Sequence, residues 1–168
     1  MKRKILLLVF TSLTFLSVHS QTTFEVPKNV VLQSDTDFEK YEKDVIDAAK
    51  WLEQTDIDKQ VEKRQEVNAF VIKWISGSPT ISAEINENLG KIYSENNQLL
   101  ALYLASYARN YLELKGAATK QTAVKAGLTS MINVYKKGID ITKSKEMEKV
   151  IKLNEENKLD DYIAKYLS

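Results

Sequence analysis

Apolar residues recur at spacings of three and four from Phe38 to Leu167, the period of one helix face after another. Thr36 and Glu39 fit a capping box, and they open a helix carrying Phe38, Tyr41, Val45, Ala48, Ala49 and Leu52 on one face. A second helix is expected from about Asp58 to Ser76, with Val67, Phe70, Val71, Trp74 and Ile75 as its stripe. Gly77, Ser78 and Pro79 end it, and Thr80 is placed to cap a third helix through Ile81, Ile85, Leu89 and Ile92. The stretch from Asn97 to Lys115 is apolar nearly all round through Leu104, which predicts a central helix closed by Gly116.

A fifth helix, from about Lys120 to Lys137, carries Val124, Leu128, Met131, Ile132 and Tyr135 and stops at Gly138. A sixth runs from Ser144 to Glu155. Asn157 and Asp160 are spaced to cap a last helix with Leu159, Tyr162, Ile163, Tyr166 and Leu167 inward. Ahead of the helices, Phe24, Val26, Val30 and Leu32 alternate around Pro27, so residues 21–33 read as an extended arm. The expected fold is therefore all-α: a bundle or stacked hairpins of about seven short helices with an N-terminal extended arm. No internal repeat of solenoid length is visible.

The first twenty residues break this pattern. Lys2, Arg3 and Lys4 precede an apolar run from Ile5 to Val18 that is softened by hydroxyls and exits through Val18, His19 and Ser20. A charged start, a short apolar middle and a small-residue exit define a secretory signal peptide. The run falls short of the roughly 20 apolar residues of a membrane span. Residues 1–20 are thus expected to be a signal peptide cleaved between Ser20 and Gln21. Residues 21–168 are then a single helical domain in the periplasm or outside the cell, with no transmembrane anchor after processing.

Export changes the available chemistry. The chain has no Cys, and its single His, His19, lies in the signal segment. Zinc sites, Glu-x-x-His di-iron sites and His-based nucleophilic triads all need residues that the remaining chain lacks. No cofactor, metal or catalytic residue is expected, and the leading expectation is not an enzyme. Without residues 1–20 there remain 21 basic and 23 acidic residues, a balance unlike that of a nucleic-acid-binding domain.

Candidate contact residues come from three patterns. Seven lysines between Leu114 and Lys145 face a single acid, Asp140, whereas residues 34–66 hold eleven acids and six basic residues. Lys120, Lys125, Lys136 and Lys137 could therefore form a basic face for an envelope protein, an anionic lipid or a glycan; two oppositely charged faces that balance each other is the plainer reading. Tyr103, Tyr107 and Tyr111 share one helix face beside Arg109. They fit either core packing or a cavity for a small apolar or anionic ligand, while Arg109 suits bridging carboxylates or gripping an anion. Trp74, Ser76 and Ser78 lie in a small-residue loop that forms a binding lip or an ordinary connection. The acid pairs Glu84 with Glu87 and Glu62 with Glu66 are the only hint of a carboxylate-based hydrolase. The C-terminal acids lack the spaced loop that calcium needs.

Three stretches, WISGSPT at 74–80, GLTSMINVYKKG at 127–138 and IKLNEENKLDDYI at 151–163, resemble exported helical proteins of unknown function from Gram-negative bacteria. The resemblance implies a periplasmic or secreted helical domain and supplies no active-site residues. The expected function is a non-catalytic exported binding or accessory protein of the cell envelope, with a helical carrier of a small ligand as the alternative.

Overall fold

A computed structural model describes residues 23–167. The expected signal peptide, its cleavage point and Gln21 lie outside these residues. The described chain is all-helical: α1 (Asp35–Lys40), α2 (Glu42–Gln54), α3 (Val61–Gly77), α4 (Glu87–Tyr93), α5 (Leu99–Leu114), α6 (Lys120–Lys136), α7 (Lys145–Glu155) and α8 (Leu159–Tyr166), with a short 3-10 turn at Lys115–Ala117. No strand occurs among the described residues.

α5 occupies the centre, packed by α2, α3 and α6. Residues 101–108 of α5 are all buried, as its near-continuous apolar sequence requires. α6 runs antiparallel to it, since Thr122 near the start of α6 donates to Asn110 near the end of α5. Gly127 is where these two helices come closest: a Cβ there would lie 2.5 Å from the Tyr103 ring. α2 is antiparallel to α5 as well, with Lys50 paired to Glu113 and Glu53 to Arg109. α7 and α8 close the other side of α6, and α4 packs on α7.

Local chemistry explains several helix ends, and it moves some of the expected ones. The first helix starts earlier than expected: Ser34 and Asp37, not Thr36 and Glu39, form the capping box. That helix also divides at Tyr41, whose buried ring packs edge-on against Phe70, so the described residues hold eight helices where seven were expected. Thr80 does not cap the third helix. Residues 78–86 are irregular, and the Asn86 side chain accepts from Leu89 N to begin α4. Asn is among the strongest N-caps, and here it outcompetes Thr80.

At the end of α5 the left-handed residue is Lys115 (φ 48°) rather than Gly116. Asn157 also departs from expectation. It takes φ 57° after α7, and Lys158 N reaches back to Leu153 O at 2.8 Å. This is a Schellman closure of α7, which leaves Asn157 unable to cap α8. Gly138 (φ 68°) closes α6 in the expected place, and Ser144 caps α7.

Residues 23–33 carry no regular structure and lie against α3. The Phe24 ring packs on Phe70 at 6.3 Å, and Lys73 donates to Val30 O. The loop before α7 is pinned by buried Asn96, whose amide donates to Thr142 O and accepts from Thr142 N.

Candidate functional site

The C-terminal end of α2 meets the middle of α5 and of α6, and polar side chains converge there on one carboxylate. Glu53 Oε1 accepts from the hydroxyls of Ser106 (2.9 Å) and Ser130, while its Oε2 accepts from Arg109 Nη1 at 2.6 Å. The Glu53 and Arg109 side chains are only 24% and 19% exposed. Removing one member of such a pair strands the other in a low-dielectric place, so the two are mutually dependent. Arg109 also lies near Glu113, with Nε 3.7 Å from a carboxylate oxygen, an ion pair too long for a hydrogen bond.

Above this cluster opens a cleft of about 580 Å³, within the size range of small-molecule sites. Its walls include Asn110 and Leu114 from α5 and Thr122, Lys125, Ala126, Thr129, Asn133 and Val134 from α6. α6 presents these residues because its opposite side, Val124, Leu128, Met131 and Ile132, is committed to the core.

The sequence-derived candidates scatter around the molecule. Arg109 and Lys125 are the two that meet in this cleft. All four lysines of the expected basic face have carboxylate partners: Lys120 with Glu84, Lys125 with Asp160, Lys136 with Glu155 and Lys137 with Asp56. The two segments of opposite charge therefore touch at Lys137 and Asp56, and α6 is balanced by α8, α7 and the segment before α4.

Tyr103 and Tyr107 are buried between helices, and burial pushes both hydroxyls above the ordinary tyrosine range. Tyr107 donates to Ser82 O at 2.9 Å, and the Tyr111 ring lies tilted against Tyr107 with centroids 5.3 Å apart while lining a separate hollow with Glu42, Thr80 and Ile81. The stripe thus runs through packing rather than into the cleft beside Arg109. Trp74 is buried, with its indole N–H donating to Phe38 O. Ser78 accepts from Ile81 N, as a turn residue does, and Ser76 and Ser78 border a recess of about 230 Å³.

Glu84 precedes α4 and pairs with Lys120, so it does not share a helix with Glu87. Glu62 and Glu66 are exposed on α3. Among the described residues no group of three or more acids is placed to hold a metal ion.

Sequence reading did not single out Glu53, Ser106 or Ser130. The signal existed: Ser106 and Ser130 are hydroxyls on otherwise apolar helix faces, and a buried hydroxyl needs a partner. Arg64, the other arginine of the described chain, is consumed structurally. Its Nη2 donates to Leu52, Thr55 and Asp56 carbonyls at the end of α2, where a cation also suits the helix dipole.

No helix among the described residues is long and apolar enough to cross a membrane. Comparison of the chain with family models, with curated proteins and with solved structures gave no match.

Proposed function

We propose that this protein is a non-catalytic binding module of the cell envelope, exported by its N-terminal segment, and that it binds through the cleft over Glu53 and Arg109. One observation carries the reading: two largely buried opposite charges, fixed by two serine hydroxyls, form the base of an open cleft between α5 and α6. Charged groups are costly to bury, and this pair lies where three helices have already packed. Apolar side chains would fill such a position at lower cost. A pre-formed cleft with a few fixed polar groups is the usual form of a small-ligand site. The paired lysines of α6 give less support to a basic face, because their charges are matched within the fold.

The test is an amide-shift screen of the purified protein against a chemically mixed fragment set. Shifts confined to residues 109–134 and Glu53 are expected. Fragments that bind only elsewhere, or a set that leaves the cleft unmoved, would remove the cleft from the account. Export is tested separately, by fractionating the host and sequencing the N-terminus of the purified protein. A chain that begins at Gln21 in the envelope fraction is expected; an intact Met1 in the cytosol contradicts the envelope role.

A further inference from the structure

We infer that the cleft takes a small carboxylate with a short apolar tail, gripped by Arg109 with help from Asn110 and Lys125. This rests on the reading of the cleft as a binding surface, and it assigns that surface a ligand class.

The unspent donors and acceptors of the cleft set the chemistry of its ligand. A carboxylate has about four acceptor positions. Glu53 has used three of them, on Ser106, Ser130 and Arg109, so it has little left for a ligand's donors. A guanidinium has five N–H donors in a fixed fork; Arg109 hydrogen-bonds to Glu53 through Nη1 and its Nε lies 3.7 Å from Glu113, so Nη2 lies outside both contacts. The Asn110 carbonyl oxygen is taken by Thr122, which leaves its amide protons as the free part of that side chain. Lys125 reaches Asp160 at 2.7 Å, yet an ammonium carries three protons. Thr129 and Asn133 also line the cleft and can each donate or accept, so unspent protons outnumber acceptor positions along it. A ligand made of acceptors, an anion, satisfies it best.

The walls narrow the class. Leu114 and Ala126 supply apolar surface beside the donors, and Leu114 is among the large apolar side chains left exposed. Covering it favours a ligand with a hydrocarbon end. No aromatic ring lines the cleft, so it has no face on which to stack a sugar or hold a quaternary amine. The planar guanidinium fork matches the two oxygens of a carboxylate. Glu53 is a positioning residue here: it holds Arg109 in place and does not touch the ligand.

The experiment titrates the purified protein with butyrate, inorganic phosphate, glucose and butylamine, read by amide shifts and calorimetry. Butyrate is expected to move Asn110, Thr122, Lys125 and Thr129 and to bind more weakly as ionic strength rises. Arg109→Lys retains the charge but loses the fork, and should weaken butyrate about tenfold. Ala126→Leu fills the cleft without touching the polar cluster, and should abolish binding at an unchanged melting temperature. Equal butyrate affinity in Ala126→Leu and the parent overturns the site. Phosphate that binds as tightly as butyrate overturns the apolar tail. If glucose or butylamine moves the cleft amides while butyrate does not, the carboxylate class is wrong and the binding surface stands. If none of the four moves them, the ligand class falls, whereas the binding surface itself is judged by the wider fragment screen.

Discussion

A methyl group added at Gly127 would lie 2.5 Å and 2.7 Å from Tyr103 ring carbons and 3.0 Å from its carbonyl oxygen. The ring is buried and the carbonyl is helix backbone, so neither yields cheaply. Gly127→Ala should therefore destabilise the protein by about 1–3 kcal/mol in denaturant melts, despite the better helix propensity of Ala. Gly90 is the control. Nothing lies within 4 Å of a Cβ there, so Gly90→Ala should stabilise α4 by about 0.5–1 kcal/mol. Glu53 poses the electrostatic counterpart. Glu53→Ala strands Arg109 and two buried serine hydroxyls, and should lose about 2–3 kcal/mol. Glu53→Gln keeps an acceptor for the serines and should lose less; equal losses would show that the hydroxyl bonds contribute nothing.

At the scale of elements, the helices are punctuated by caps whose contributions can be separated. Asn157 sits at φ 57° and lets Lys158 N close α7 on Leu153 O. A residue with a Cβ but no local polar side chain is strained there, whereas glycine is not. Asn157→Ala should lower stability by about 1 kcal/mol and Asn157→Gly should leave it level or slightly raised, both measured by thermal melting. At the other end of α7, the Ser144 hydroxyl accepts from Met147 N in a buried setting. Ser144→Ala should lose about 1–2 kcal/mol. A loss confined to α7 and α8 in hydrogen exchange would mark these two helices as a unit that opens ahead of the α2–α5–α6 core.

For the whole molecule, burial of the tyrosines sets an alkaline limit. Tyr103 and Tyr107 are held neutral in the fold by desolvation, with their hydroxyls titrating above the ordinary value. In the unfolded chain they lose their protons near about pH 10. Above that point the folded state binds more protons than the unfolded one, so stability falls as pH rises. Each buried tyrosine should cost about 1.4 kcal/mol per pH unit there, and should make no difference below about pH 9. Urea melts between pH 8 and 11, compared with Tyr103→Phe, measure this directly: the variant should fall less steeply. The exposed carboxylates paired with lysines, such as Glu84, Glu87 and Glu156, have pKa values lowered by those partners. As surface pairs they should leave only a weak acid dependence.

The helical character of the chain, its central helix, the stop at Gly138 and the start at Ser144 were legible in the sequence. Periodicity and capping act between residues a few positions apart, and such information is written along the chain. The same locality explains the misplacements. Ser34 and Thr36, or Thr80 and Asn86, are competing caps a few residues apart, and the helices start at Ser34 and Asn86. The candidate site was legible only in part, as Arg109 and Lys125. Glu53 lies 53, 56 and 77 residues from Ser106, Arg109 and Ser130, and Lys137 is 81 residues from the carboxylate that partners it. No spacing rule spans such distances. Only the antiparallel packing of α2, α5 and α6 decided which charges would meet, because the energy of a buried ion pair depends on where folding places its partners.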